Sequence, residues 1–230
     1  MSRNQRQQHQ AQAPIEERLP LHAEYLEGLS DNVYGDVKHS LAGSYIIECP
    51  YLNLDPEDLT MDIEPSCIAP GIFECHFNLS EHYGTMIIGS DESEMTVYRK
   101  WLEKDEKMSR TWVRNGVMPP PSRPQPAKFL GGMSLDELPR CLMPRKWFIQ
   151  WRSRESGEDM IDYTGGREDF IVFTGSKFIK FQGLLDFGRN LGKQSVFGYK
   201  TAPWPLRNIK DWSSFSKDQY EFERRDRWRR

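Results

Sequence analysis

The fold is decided by the stretch Lys146-Trp147-Phe148-Ile149-Gln150-Trp151-Arg152-Ser153-Arg154. Trp147, Ile149 and Trp151 alternate in it with mostly polar side chains, a period of two that is typical of a β-strand with one buried face. Shorter runs of the same kind follow, separated by turns that contain glycine, at 160–163, 170–173, 177–182 and 194–199. Because such turns leave no room for crossover helices, this block predicts an antiparallel meander.

A second strand-rich block precedes it and runs from Gly43 to Gly89. It contains four strand candidates, at 44–49, 59–64, 72–77 and 85–88. Between the blocks, Met95, Tyr98, Trp101 and Leu102 recur at helical spacing. The two blocks together predict a mostly β domain, an antiparallel barrel or sandwich of about eight to nine strands with one inserted helix.

The remaining segments are poor in apolar periodicity. Residues 1–13 are rich in glutamine, and 117–144 contain seven prolines, which disfavour a central strand or a helix. Scattered apolar residues in 14–42 are enough for a short helix lying on the main body. The predicted organisation has three parts: a disordered or peripheral segment at 1–40, one β domain at 41–202 and a basic aromatic tail at 203–230. The β domain includes a helix at about 91–108 and a mobile insert at about 115–144.

Composition excludes several classes of protein. The formal net charge of -3 provides no global basic field for nucleic acid. Four cysteines lack the density of a disulfide scaffold, and neither a signal peptide nor an apolar run of membrane-spanning length is evident. These observations predict a cytoplasmic and/or nuclear protein without a membrane span.

The end of the chain is the exception to this charge balance. A solvated tail is the favoured interpretation, and a basic aromatic helix that contacts RNA, a membrane surface or an import receptor is the alternative. Nucleic acid is therefore an expected partner only through Arg224, Arg225, Arg227, Arg229 and Arg230.

Three stretches resemble a pattern common in uncharacterised fungal proteins, namely 43–51, 71–74 and 152–158. That family implies no activity, ligand or catalytic residue. In order and spacing, the strands also resemble a calycin-type barrel, the architecture of lipocalins and avidins. The second resemblance implies a fold only, since no calycin sequence motif is evident.

Candidate chemical groups are few. Cys75, His76 and His82 lack the paired spacing of a zinc site, and Cys75 and His76 should point to opposite faces of one strand. A thiolate–imidazole pair of Cys75 with His82 requires a hairpin register that brings them together. We expect no metal site and no cofactor.

A polar face is predicted on neighbouring strands of the first block. If the sheet closed with this face inward, it would form a polar lumen capable of acid–base chemistry. An outward, solvated orientation is favoured. The face consists of Glu48, Asp62, Glu64, Glu74 and His76.

Arg152 and Arg154 alternate with Trp151 on the longest predicted strand and could bind phosphate or stack on bases. Ion pairing with acidic neighbours such as Asp162 is the favoured interpretation.

The leading functional hypothesis is a non-catalytic binding protein that holds a small apolar ligand or a protein partner. A small calycin-like enzyme (isomerase, cyclase or hydrolase) using lumen carboxylates or His76 is the alternative, and a nucleic-acid-associated protein is a weaker one. The candidate ligand-binding residues are Trp147, Ile149, Trp151, Phe73, Phe77 and His76.

Overall fold

The computed structural model describes residues 19–31, 33–34, 40–51, 58–79, 82–114, 145–155, 161–162, 169–175, 177–186 and 192–227. The predicted mobile segments 1–13 and 117–140 lie outside these residues. Nine strands form one antiparallel sheet. They are β1 (Gly43–Glu48), β2 (Leu59–Pro65), β3 (Ile72–Leu79), β4 (His82–Gly89), β5 (Lys146–Glu155), β6 (Ile161–Asp162), β7 (Phe170–Phe173), β8 (Lys180–Asp186) and β9 (Lys193–Ala202).

The sheet closes into an eight-stranded up-and-down barrel. Each long strand pairs with the next one along the chain, and β1 pairs with β9 to complete the circle. The two-residue β6 adds only a short pairing at the end of β5. The β4–β5 and β1–β9 pairings join the two blocks into one structure, as predicted. The β4–β5 and β1–β9 pairings cover sheet edges that would otherwise be open to aggregation.

Among the predicted strands, β8 differs most from its predicted bounds. The sequence placed a strand at 177–182, whereas β8 spans Lys180–Asp186. The cause is Phe178, which adopts a left-handed backbone conformation with φ of 53°. A strand cannot pass through that conformation. Phe178 therefore turns its ring into the end of the barrel instead of joining the sheet.

The inserted helix is α2 (Glu92–Arg114), which is longer than the predicted 91–108. Asp91 caps it, because its Oδ1 accepts the backbone N–H groups of Ser93 and Glu94 at 2.7 and 3.1 Å. No glycine or proline interrupts the sequence until Gly116, so nothing stops the helix at residue 108.

Helix α2 packs on the outside of the barrel. Its Met95 and Tyr98 are fully buried against Ile72 and Ile87 of the sheet. The hydroxyl of Tyr98 also donates to Glu74 Oε1 at 2.7 Å. The apolar stripe read from the sequence is therefore the surface that holds the helix on the barrel.

A short N-terminal helix, α1 (Pro20–Ser30), lies on β9. It begins with proline at its first position, where the missing N–H has no helical partner to lose. The Nδ1 atom of His22 is 2.7 Å from the carbonyl oxygen of Lys200. The predicted short helix on the main body is thus confirmed.

The C-terminal segment is held on the barrel by buried aromatic side chains and is mostly solvated in its final helix. It continues from β9 across the outside of the barrel through a 3₁₀ helix, Trp212–Phe215, into α3 (Lys217–Arg227). Trp212 and Phe215 are both buried. Helix α3 carries four basic and four acidic side chains, so it is not a basic surface by itself. No helix in the described part of the chain is both long and apolar enough to cross a bilayer.

Candidate functional site

The interior of the barrel is lined by apolar and aromatic side chains. Inward-facing residues of eight strands form one continuous buried cluster, which includes Met61, Cys75, Met86 and Ile171. The period-two pattern of each strand produces this lining, because alternate side chains point to one face. We call the end at which β1, β3, β5 and β8 finish the polar end, and the opposite end the closed end.

Large rings fill the half of the barrel next to the closed end. Phe173 lies at the centre of this group, with ring centroids 5.0 Å from Phe178, 5.4 Å from Phe181 and 6.2 Å from Tyr45. Trp147 joins it through Phe178 at 6.3 Å. The edge-to-face geometry of these rings is the packing that aromatic quadrupoles favour. This half is a packed core.

The closed end is sealed by the chain that leads into β1. The Nζ atom of Lys200 donates to the carbonyl oxygens of Ser40 at 2.7 Å and Ala42 at 2.8 Å. The hydroxyl of Tyr45 donates to the carbonyl oxygen of Leu41 at 2.9 Å, and the Leu41 side chain is buried in the core. Lys200 is only 2% exposed, and burial lowers its pKa to about 7.

The polar end differs mainly in the polarity of its lining. Its apolar side chains include the rings of Phe77 and Trp151, together with Leu59, Leu79, Leu185 and Val196. Three polar residues are also buried at this end. They are His82 at the start of β4, Ser153 near the end of β5 and Asp169 just before β7.

Asp169 is held against an aromatic side chain of the lining. Trp151 Nε1 donates to Asp169 Oδ2 at 2.7 Å, and the backbone N–H of Asp186 donates to Oδ1 at 3.1 Å. Desolvation raises the pKa of Asp169 to about 6, although both hydrogen bonds oppose this shift. At neutral pH the ionised carboxylate therefore predominates.

Ser153 places a hydroxyl inside the barrel. Its neighbours Arg152 and Arg154 point outward, and its register partner on β4 is Gly84. The side chain is 0% exposed, and no hydrogen-bond partner of its Oγ exists among the described residues. A Cβ at Gly84 would lie 2.8 Å from the Cα of Ser153, so only glycine allows this close approach of β4 and β5.

The predicted polar face lies on the outside of the barrel, as favoured, but not all of it is solvated. Asp62 is fully buried beneath the C-terminal segment. Its carboxylate accepts hydrogen bonds from the Ser44 hydroxyl, from the backbone N–H of Leu206 at 2.8 Å and from Arg207 Nη1 at 3.2 Å. The carboxylate thus anchors the segment that follows β9.

Arg152 and Arg154 form ion pairs, as favoured, with acidic residues of two helices. Arg152 Nη1 lies 3.0 Å from Glu106 Oε2 on α2, and Arg154 pairs with Glu223 on α3. The backbone register places Asp162 opposite Ser153, between the two arginines. The two guanidinium groups therefore hold the helices on the barrel.

The six candidate ligand-binding residues separate into two groups. Trp147, Ile149, Trp151, Phe73 and Phe77 share the barrel interior, and Phe77 and Trp151 contact each other at 5.7 Å. His76 lies on the outer face, where its ring is 6.4 Å from that of Phe215. Burial and then the nearby ammonium group of Lys210 lower the pKa of His76.

The Cys75–His82 pair does not form. The register places Cys75 opposite Met86 and His82 opposite Leu79, four residues apart along β4. At about 3.3 Å per residue, this corresponds to roughly 13 Å. Burial also raises the pKa of the Cys75 thiol well above its ordinary value, which disfavours the nucleophilic thiolate.

Sequence reasoning missed Ser153, Asp169 and Lys200. Each lies in phase with apolar residues that face inward on the same strand, such as Trp151 for Ser153 and Ile171 for Asp169. The signal that could have found them is a polar residue at a position where the two-residue alternation of the strand predicts an apolar one.

No protein-family model, curated protein or solved structure matches this chain.

Proposed function

We propose that the protein is a non-catalytic binding protein whose barrel holds one small, mainly apolar ligand at the polar end. An eight-stranded barrel is just wide enough to be filled by side chains or to hold one small ligand. Ligand sites are commonly apolar, with a few convergent polar groups that fix orientation.

The observation that carries the proposal is the difference between the two halves of the interior. One half is filled by rings in mutual contact and is sealed by Lys200 and Leu41. The other half combines aliphatic side chains and the rings of Phe77 and Trp151 with the buried polar groups of Ser153 and Asp169. Polar groups inside an apolar barrel cost stability, so their retention there favours a role in recognition.

The up-and-down order of the strands supports the likeness to calycin-type barrels. It adds no activity, since a fold alone does not specify one. The outward position of Asp62, Glu74 and His76 argues against the enzymatic alternative, because these residues do not reach the lumen.

A cytoplasmic or nuclear location fits this proposal. Cys67 and Cys75 form no disulfide with any described residue, a state that is favoured where thiols are kept reduced. We therefore propose that the ligand is encountered inside the cell.

The experiment is a titration of the intact protein with prodan, a neutral naphthalene dye whose emission depends on polarity. We expect saturable binding of one dye per protein and a rise in the midpoint of thermal unfolding with dye concentration. Because the residues at the polar end are buried, we also expect association to be slower than simple docking on a surface. Absence of saturable binding would refute the proposal.

Two variants locate the dye. Val196→Phe places a larger side chain at the polar end and should abolish binding, provided that circular dichroism shows a folded barrel. Trp204→Ala is the matched control, since Trp204 is 52% exposed on the outer surface. If Trp204→Ala removes the binding and Val196→Phe does not, the dye binds the surface and the proposal is wrong.

A further inference from the structure

The outer face of α2 combines exposed apolar side chains with a lysine. Val97 and Met108 are 56% and 42% exposed, and Trp101 between them is partly buried. Together with Lys104 they follow the spacing of four, three and four residues that is found along the seam of a coiled coil. We call Val97, Trp101, Lys104 and Met108 the outer row. It faces away from the side of α2 on which Met95 is buried against the barrel.

Trp101 is ordered by the barrel before anything binds. Its ring stacks on that of Tyr98, with centroids 6.0 Å apart and 16° between the ring planes, and Tyr98 is fully buried. An aromatic side chain that is already ordered loses little conformational entropy when a partner covers it. Tryptophan is also enriched among the residues that dominate binding energies at interfaces. Trp101 is therefore a preformed contact on an otherwise solvated face.

Lys100, Lys104 and Lys107 form a line of positive charge along the same face, and all three are exposed. They are four and three residues apart, so each lies beside the next on the helix surface. Like charges at this spacing destabilise a helix. Lys100 and Lys104 form no ion pair with any residue that the structure describes.

The glutamates of the same stretch of α2 are engaged on its inner side. Glu103 and Glu106 lie 3.6 and 3.0 Å from the guanidinium nitrogens of Arg152 on the barrel. Asp105 follows Trp101 by four residues and borders the outer row on the flank opposite to Lys100. The outer row thus has lysines on one flank and a carboxylate on the other.

This charge pattern favours a protein helix over a bilayer as the partner of the outer row. An anionic bilayer attracts the lysines but repels Asp105 on the other flank. A second helix can lay its apolar stripe along the row and place carboxylates opposite the lysines alone, as residues that flank coiled-coil seams do. The row covers residues 97–108, roughly 17 Å of helix, which a helix of ordinary length can match.

We propose that the outer face of α2 docks an acidic amphipathic helix of a partner protein. Trp101 is the central aromatic contact, and Lys100, Lys104 and Lys107 pair with carboxylates on one flank of the docked helix. This interaction surface lies outside the barrel and does not depend on the ligand proposed above.

The test uses two helical peptides and the intact, isotope-labelled protein. Both peptides contain three heptads with leucine at a and d, and they carry either glutamate or lysine at every e and g position. By nuclear magnetic resonance at low salt, we expect the glutamate peptide to bind at least about tenfold more tightly than the lysine peptide. The amide shifts should be confined to α2 and its contacts. Equal affinities, no binding of the glutamate peptide, or shifts located elsewhere would overturn the inference.

A charge reversal tests the lysines. The double variant Lys100→Glu with Lys104→Glu should lose the preference for the glutamate peptide and bind the lysine peptide more tightly than wild type does. The control is Lys177→Glu with Lys217→Glu, which changes the net charge equally at exposed positions outside α2. If the control shifts the preference as much as the α2 variant does, the attraction is a property of the net charge and the inference is wrong.

The apolar contacts and the bilayer are tested separately. Val97→Ser with Met108→Ser should weaken binding of the glutamate peptide by at least about fivefold, whereas Leu206→Ser, at another exposed apolar position, should leave it unchanged. Unchanged affinity in the α2 variant would reduce the contact to charge attraction and overturn docking of a helix. Co-sedimentation with vesicles of phosphatidylcholine and phosphatidylserine, lost in the charge-reversed variant, would assign the face to a bilayer and also overturn it. Prodan binding should be the same in all these variants, so failure here leaves the proposed function intact.

Discussion

The buried ammonium group of Lys200 makes the stability of this protein depend on pH in a definite direction. Burial lowers its pKa to about 7 from an ordinary value of 10.5. Between these two values the unfolded chain holds a proton that the folded chain has released. Stability therefore rises as the pH increases through this window, and the penalty for burying the charge is largest below it.

The size of the effect follows from the shift. Each pKa unit corresponds to about 1.4 kcal/mol, so this group should add about 1.5 kcal/mol to the free energy of unfolding between about pH 7 and about pH 8.5. A pH above this range is unsuitable for measuring the effect of Lys200 alone. Burial raises the pKa values of Cys75 and Tyr45, so the stability that these groups contribute is lost as the pH rises past their ordinary values of 9.0 and 10.0.

The assay compares wild type with Lys200→Met by urea denaturation at both pH values. Methionine keeps an unbranched stem but loses the charge and the hydrogen bonds to Ser40 and Ala42. The difference in free energy of unfolding between the two proteins should change by about 1.5 kcal/mol across this range, in favour of wild type at the higher pH. Other titrating groups are common to both proteins and cancel.

Lys193→Met provides the control. Lys193 is exposed on the same strand, and its replacement should leave the pH dependence unchanged. If Lys200→Met shows the same difference from wild type at both pH values, the folded protein does not depress the pKa of Lys200, and the reasoning is refuted.

Three further changes test the packing around the barrel, each measured as the free energy of unfolding in urea. Asp62→Ala removes the anchor of the C-terminal segment and should cost about 2–4 kcal/mol, whereas Arg207→Ala should cost less than about 1 kcal/mol because Arg207 is half exposed. Similar losses for both would contradict the anchoring role. Gly84→Ala should cost about 2 kcal/mol or more, since its Cβ would lie 2.0 Å from the Arg152 carbonyl oxygen, while Gly175→Ala, with open space around it, should be nearly neutral. A neutral Gly84→Ala would refute the close strand approach. Arg152→Met should cost about 3 kcal/mol because it removes the guanidinium that lies 3.0 Å from the largely buried carboxylate of Glu106, and a neutral result would exclude that ion pair as a structural contact.

Much of the fold could be predicted because strand periodicity is a local property. The alternation of Trp147, Ile149 and Trp151 with mostly polar neighbours identified β5 and its apolar face, which the structure turns inward. The apolar stripe of α2 likewise predicted the helix. The end of that helix was predicted less well, since no breaking residue marks it.

The candidate site was predicted only in part. Trp147, Ile149, Trp151, Phe73 and Phe77 do share the interior. The polar contribution of Asp169 was missed, because a charged residue just before a strand is usually read as part of a turn. Its hydrogen bond from Trp151 joins positions separated by a segment whose path the sequence does not specify.

The sequence by itself determined the number of strands, their alternating faces and the antiparallel connections, because each depends on residues close together in the chain. The tertiary structure decided which ends of the sheet meet. Pairing of β1 with β9 and of β4 with β5 joins strands far apart in sequence, and only that closure makes one face an interior. Closure also decides the environment of the charges. It leaves Asp62 outside under the C-terminal segment and Asp169 and Ser153 inside, since burial depends on the neighbours that distant segments provide.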